Sequence, residues 1–566
     1  MRPTLLLATF AAALALTASA TAAGNPFGVT VVRFAHGTTP AQMRAAVTAS
    51  GGVVVSDLSA IGALAVVPGS AGFDARVNSK RSVTGLFADT LIGSDRHDGF
   101  HSGGRGGAPG DGPASGLADP WHVLFQWDDE RMDVQPAWRR TTGDRSIAVA
   151  VIDSGVDANH RELRGVVDPS LGGNFIPCAD LRALFGLGFI DRSGLRDCRD
   201  GDFEGHGTWV ASRIAGALNG FASNGVAPGV RVGSYKVLAA GLGGLSTWIL
   251  SGLVAACSDP RIDVVNMSIE AYVDPSDPAS VDDYLLFDDA VDYCLSRGVP
   301  VFAAAGNAHV RVDRVTMTLD GRRLEGVGQV STGTGGIATT FPGSDSLDES
   351  DLRGGLVLPG GVPGVTMVSA TANTIGAAPA SVPLRWRSHV GARDQLAYYS
   401  NYGSRIDLSA PGGARAYEIP AYDGGPGDVL AGGWGSFGAL AKDGLICNDP
   451  SEGSVFNSAC FTARGDAYGW LQGTSMSSSN AAGVAALVLS GHHELVGHPA
   501  SLVRRLTDTA NRSVVNYMGP NDPSNTAPGL EGTACATGFC HIDQAHAIPF
   551  ASAYGAGLVD AGAAVR

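Results

Sequence analysis

The stretch RSIAVAVIDSGVD, residues 145–157, decides how the rest of the chain is read. Ile147–Ile152 is an unbroken apolar run, and Asp153, Ser154 and Gly155 stop it abruptly. A strand with one wet face alternates apolar and polar residues; a continuous run of this length belongs to a strand covered on both faces. The pattern recurs in VRVGSYKVL (230–238), IDVVNMSI (262–269) and VPVFAAAGN (299–307). Between these lie the helical segments WVASRIAGAL (209–218), STWILSGLVAAC (246–257) and VDDYLLFDDAVDYCLSRG (281–298), the last with its glycine stop. Buried strands alternating with helices predict an α/β fold with a doubly wound, mainly parallel sheet. Chemistry in such a sheet gathers beyond the carboxyl ends of the strands. Asp153 and Asn307 each close one of them.

Upstream, the composition divides the chain. Residues 1–22 carry Arg2, the apolar run Leu5–Leu16 and A-x-A sites at Ala18–Ala20 and Ala20–Ala22, the pattern of a secretory signal peptide. The run is too short to span a bilayer, which takes about 20 residues. Residues 28–93 read as a small α+β unit, with strands at VTVVRF (29–34), VVVSDL (53–58) and ALAVVP (63–68) and a helix within TTPAQMRAAVTASG (38–51). Residues 94–118 are mostly Gly, Ser, His, Asp and Pro, a composition that cannot bury enough surface to order itself and predicts an exposed, cleavable linker. A single large domain, 119–566, is expected to follow.

The formal net charge of −15 argues against a nucleic-acid partner, because phosphate binding needs clustered Lys and Arg. No membrane partner is indicated either, and a secreted monomer is the expectation. Gly numbers 79 among 566 residues, about twice its usual share of about 7%, which implies many tight turns. The eight cysteines suit an oxidising compartment and fall into neighbouring pairs, Cys178 with Cys198, Cys257 with Cys294, Cys447 with Cys460 and Cys535 with Cys540. That pairing is one of 105 possible connectivities.

Three segments carry reactive side chains at strand or helix junctions: VIDSGVD (151–157) with Asp153, GHGTWVAS (205–212) with His206, and GTSMSSSNAAGVAALVL (473–489) with Ser475. Each alone has an ordinary structural reading as a turn residue, a cap or a polar helix start. Together, in the order Asp, His, Ser, they resemble the subtilisin-like serine proteases. NMSI (266–269), AAAGN (303–307), YYSNYG (398–403), LSAPGG (408–413) and YGAGLVDA (554–561) extend the resemblance from Asp119 to the C-terminus. The rival nucleophile signature G-x-S-x-G is absent around Ser475.

The resemblance implies a serine endopeptidase that needs no cofactor for catalysis and acts on polypeptides. It makes Asp153, His206 and Ser475 the triad and gives the side chain of Asn307 a place in the oxyanion hole. It places extended substrate between Gly241, Gly243 and their neighbours to Leu245 on one side and Ser268, Ile269 and Glu270 on the other. Ala304, Ala305, Gly306 and Asn307 complete the pocket for the residue before the scissile bond. Glu270 is a departure, since relatives commonly have Gly there; it implies either a solvated rim carboxylate or a narrowed, acidic pocket for small or basic residues. Trp209 stands where His is frequent, and Ser479 where Pro is usual. Glu162 and Asn219 match positions that supply oxygen ligands in calcium-binding relatives, so a structural calcium ion is a further expectation.

By the same resemblance, 28–93 is an inhibitory propeptide and the enzyme frees itself by cleavage within 90–118. Compared with compact relatives the chain is enlarged at about 164–204, 308–360 and 414–470. Two other readings are compatible with these features: a maturation protease or peptide ligase dedicated to one partner, and a binding protein on an inactive protease scaffold.

Overall fold

A computed structural model of the protein describes residues 28–92, 119, 122–187, 194–308, 310–332, 352–373, 393–397, 399–413, 416–419, 428–431, 435–448, 460–513 and 549–566. The signal-peptide and linker segments and the pair Cys535 and Cys540 lie outside the described residues.

Residues 28–88 form an antiparallel sheet, β2–β3–β1–β4, from β1 (Thr30–Phe34), β2 (Gly52–Leu58), β3 (Ala63–Pro68) and β4 (Val83–Ala88). The helix Pro40–Ala49 begins where Thr39 and Gln42 cap one another and Pro40 fills the first turn. Its Met43 and Val47 are buried on Val32, Phe34, Leu64 and Val66. Val31, Leu58, Ala63 and Phe87 point the other way, into the core of the large domain. Both faces of this small sheet are therefore occupied, one by its own helix and one by its neighbour.

The large domain is built on an eight-stranded sheet. Seven of its strands are parallel: β6 (Ala148–Asp153), β7 (Val167–Asn174), β8 (Arg231–Lys236), β10 (Val264–Met267), β12 (Val301–Ala304), β16 (Thr366–Asn373) and β18 (Leu408–Pro411). β17 (Arg393–Leu396) joins β16 antiparallel, and the order is β17–β16–β12–β10–β6–β8–β7, with β18 also on β16. Period-two geometry splits β6 between two layers. Ala148, Ala150 and Ile152 enter the core shared with the helices Ser246–Ser258 and Pro278–Ser296. Val149 and Val151 enter the core shared with the helices His206–Ala215 and Thr474–Gly491. This is why the sequence of β6 shows no alternation. The α/β, mainly parallel architecture expected from the sequence is the one found.

The remaining strands are additions to this frame. β9 (Gly244–Leu245) pairs antiparallel with β5 (Leu91–Ile92), which leaves the small unit. β11 (Ala271–Val273), β13 (Arg311–Leu319), β14 (Arg322–Thr332) and β15 (Leu356–Leu358) form a sheet in the order β11–β15–β14–β13. β19 (Ala416–Ile419) pairs with β20 (Asp428–Ala431), and β21 (Ser436–Leu440), β22 (Cys460–Ala463) and β23 (Asp466–Leu471) make a three-stranded sheet packed over Trp209. Disulfides join Cys178 to Cys198, Cys257 to Cys294 and Cys447 to Cys460, the nearest-neighbour pairing; the second links the helices Ser246–Ser258 and Pro278–Ser296. Among the described residues no helix is long and apolar enough to cross a membrane.

Candidate active site

Asp153 is the last residue of β6 and is fully buried. Its Oδ1 accepts the backbone N–H of Ser154 and Nδ1–H of His206, each at 2.7 Å. A carboxylate on Nδ1 fixes the tautomer that carries its lone pair on Nε2. His206 opens its helix, so the ring position depends on how that helix starts. Asp202 sets the start: its Oδ1 accepts from the N–H of Gly205 at 2.7 Å and the hydroxyl of Ser154 at 2.9 Å. Its Oδ2 accepts from the N–H and hydroxyl of Thr208 at 2.8 and 2.6 Å. The Ser154 hydroxyl in turn accepts the N–H of Gly207 at 2.9 Å. One buried carboxylate thus satisfies orphan donors at the helix N-terminus and ties it to the residue after Asp153.

Ser475 is the second residue of the helix Thr474–Gly491 and is fully buried in this form. Its carbonyl accepts the Ser268 hydroxyl at 2.9 Å, and its own hydroxyl lies 3.4 Å from the Ser268 carbonyl. Asn480, five residues on, accepts from Arg213 at 3.2 Å, which links this helix to the one that carries His206.

Asn307 is oriented from the other side. Its Oδ1 accepts both the N–H and the hydroxyl of Thr474 at 2.9 Å, and the same hydroxyl accepts the N–H of Gly306 at 3.0 Å. With Oδ1 committed to Thr474, Nδ2 faces the opposite way. A Cβ placed on Gly473 would stand 3.7 Å from Asn307 Nδ2 and 3.7 Å from the N atom of Ser475. Both nitrogens therefore lie within reach of one point beside Gly473, with the Met476 sulfur at 3.3 Å from it. Donors converging beside a serine at a helix N-terminus form a site able to hold a developing oxyanion.

Of the expected substrate-wall residues, Ser268 and Gly306 bond directly to the Thr474–Ser475 segment. Ser268, Ile269, Ala304 and Ala305 are buried, and Gly306 has φ of 103°, which favours glycine. In the other expected wall segment, the N–H of Gly241 donates to Glu204 at 2.7 Å, and Ala239 and Gly243 bridge one another. Glu204 lies two residues before His206, and burial pushes its carboxyl up to about 7, against the pull of the Gly241 N–H. Glu270 is half-buried and accepts the backbone N–H of Asn307 at 2.5 Å. Its carboxylate therefore reaches across to the Asn307 backbone while staying partly open to solvent.

Glu162 and Asn219 are brought together, but as hydrogen-bond partners. Glu162 accepts from the Tyr468 hydroxyl on Oε1 and from Asn219 Nδ2 on Oε2, both at 2.8 Å. Asn219 Oδ1 is taken by the N–H of Phe221 at 2.9 Å. Burial raises the Glu162 carboxyl well above the carboxylate range, and the nearby Asp119 adds to the rise. Calcium needs several oxygens turned on one point, and here donors already face both carboxylate oxygens. The donor set does not fit the expected calcium ion. Among the described residues no group of three or more His, Cys, Asp or Glu is poised to hold a metal.

Sequence reasoning missed Asp202, Thr474, Glu204, Tyr272 and Asn401. Two were within reach: Asp202 lies four residues before His206, at capping distance, and Thr474 directly precedes Ser475. Tyr272 and Asn401 meet Gly306 only through tertiary packing.

The profile of the subtilase family matches residues 144–531, more than half of the chain. Subtilisin E of Bacillus subtilis is 34% identical over 164 residues, 29% of this chain and 34% of that protein. The major intracellular serine protease of the same organism is 30% identical over 171 residues, 30% of this chain and 46% of that protein. The chain thus covers less than half of these relatives. Among solved structures, the epidermin leader peptide processing serine protease of Staphylococcus aureus superposes with a TM-score of 0.56 at 17% identity, covering 95% of this chain and 97% of that one. Fervidolysin of Fervidobacterium pennivorans gives 0.51 at 18% identity, covering 95% and 60%. The family match over the parallel-sheet domain, with the fold it shares with these structures, places the chain in the subtilase family of subtilisin-like serine proteases.

Proposed function

We propose that the protein is a secreted serine endopeptidase in which Ser475 attacks the peptide carbonyl, His206 moves the proton and Asp153 holds the imidazole. In this reading His206 Nε2 takes the Ser475 Oγ proton as the tetrahedral intermediate forms. It then delivers that proton to the leaving amine, giving an acyl-enzyme that water hydrolyses by the same steps. Asp153 keeps the tautomer and stabilises the imidazolium. Asn307 Nδ2 and the N–H of Ser475 receive the negative charge. The observation that carries this reading is the 2.7 Å contact between Asp153 and His206, set in the fold of a subtilase.

The unit 28–93 is proposed to be its propeptide. What supports this is β5, which lies against β9 as an added antiparallel strand, the way an extended peptide binds a sheet edge. Purified full chain should hydrolyse casein and lose its N-terminal unit on incubation, whereas Ser475→Ala should do neither. Loss of the unit from pure Ser475→Ala would contradict self-processing. A narrower role, maturation of one partner, is compatible with the enlarged loops, and products from casein set against those from a single peptide would separate the two.

A further inference from the structure

Resting on that reading, we infer that Glu270 makes the pocket for the residue before the scissile bond selective for arginine and lysine. The pocket walls implied by the family are backbone from two segments, Ser268–Glu270 and Ala304–Asn307. In this chain Glu270 spans the gap between them. It leaves the first wall, and its Oε2 reaches the second at the N–H of Asn307. A Cβ on Gly306 would meet this same Oε2 at 2.9 Å, the Tyr272 hydroxyl at 2.8 Å and the Asn401 amide at 2.3 Å. The Asn401 amide is itself fixed, donating to Tyr272 at 2.7 Å and to the carbonyl of Ala305 at 2.8 Å. The surface between the walls is therefore polar and headed by an acid.

A large apolar side chain entering there would strip water from a carboxylate and return no hydrogen bond. An arginine or lysine would reach it along its aliphatic stem and end in a charge-assisted hydrogen bond. Bridging also shortens the pocket, which disfavours bulky aromatic side chains on volume alone. The chain's own linker fits this chemistry: Arg96 and Arg105 are the only basic Lys or Arg residues in 94–118, where self-processing is proposed.

The test uses full chain allowed to process itself and a peptide series that differs only in the residue before the scissile bond: Arg, Lys, Ala or Phe. The wild type should cleave the Arg and Lys peptides with kcat/KM at least about tenfold above the Phe peptide, the scale of a charge-assisted hydrogen bond. Glu270→Gln keeps the shape and removes the charge, and should lower the Arg-to-Ala ratio by about tenfold or more. Glu270→Gly should raise the relative rate on Phe. A wild type that prefers Phe, or an Arg-to-Ala ratio that Glu270→Gln leaves unchanged, overturns the inference. Labelling of Ser475 with a fluorophosphonate separates the levels. Labelled protein without basic selectivity overturns only the pocket assignment; unlabelled protein inert on every peptide overturns the protease reading as well.

Discussion

Asn307 shows how much of a site can depend on one amide being turned the right way. Thr474 takes its oxygen twice, so that its nitrogen and the N–H of Ser475 bracket the space beside Gly473. Asn307→Ala should therefore lower kcat by about 10²–10³-fold with a much smaller change in KM, since the interaction is made in the transition state. Steady-state kinetics on one peptide checks this. Thr474→Val should lower kcat in the same direction, because the amide would lose one of the two contacts that set its orientation. The proposed triad could be nominated from the sequence because each member sits in a short motif at a strand or helix end: Asp153 after an apolar run, His206 and Ser475 before helices. Their supports were less legible. Nothing in the neighbourhood of Glu270 or Tyr272 in the sequence says that they meet Gly306, since those contacts join segments more than 30 residues apart.

At the level of elements, the site is a matter of two helices and what holds their ends. Asp202 closes the start of the His206 helix, and Asp202→Ala should cost about 1–2 kcal/mol of stability by removing a buried cap. It should also lower kcat, because the same carboxylate fixes Ser154 beside Asp153. Arg213, further along that helix, is fully buried with Asp128 and Asp129 and bonds Asn480 of the Ser475 helix. Arg213→Met would leave two buried carboxylates without their cation, an effect of about 3–5 kcal/mol in denaturant unfolding. The Glu162 cluster gives a further prediction. A chelator should leave Tm unchanged, while Tyr468→Phe lowers it, because the Tyr468 hydroxyl and the Asn219 amide take the two Glu162 oxygens. A chelator-induced fall in Tm would contradict this. Helix and strand alternation was readable where the parallel strands are buried on both faces and apolar, as in β6, β10 and β12; the edge strand β7, VDPSLGGN, is largely exposed and gave no such signal. The hairpin β13–β14 and the small sheet β21–β23–β22 were seen only as enlarged loops. Their strands mix residues that reach the main cores, such as Leu319, Val327 and Leu471, with local pairs such as Phe437 on Tyr468, so no single periodicity marks them.

For the whole molecule, the relation between the small unit and the large domain matters most. Arg33 pairs with Asp282 at 2.5 Å, Ser56 meets Ser251 at 2.5 Å, and Asp89 accepts the N–H of Thr247 at 3.1 Å. Burial pushes the Asp89 carboxyl up to about 8, despite its bonds to Thr247, with Asp283 and Asp180 adding to the rise. Burial likewise raises Asp283 to about 7, against its bonds to Ser246 and Thr90. In the released unit Asp89 returns to the ordinary carboxylate range, so the docked form binds the proton more tightly. Docking is then strongest in acid and weakens as pH rises through about 4 to 8. Hydrogen exchange on full-length Ser475→Ala should show protection of residues 28–92 falling over that range, and Asp89→Asn should flatten the fall. Protection independent of pH would contradict the assignment. The existence of this unit was legible from its alternating strands and capped helix. Its seat on the helices Ser246–Ser258 and Pro278–Ser296 was not, because the contacts that make it, Val31, Leu58 and Phe87 in the large core and pairs such as Arg33 with Asp282, join distant segments. All of these expectations rest on Ser475 being the nucleophile. The most direct test is to react processed protein with a fluorophosphonate and map the adduct by mass spectrometry. The adduct should fall on Ser475, disappear in Ser475→Ala and be strongly reduced in His206→Ala; no adduct, or one on Ser477, Ser478 or Ser479 instead, would contradict the account.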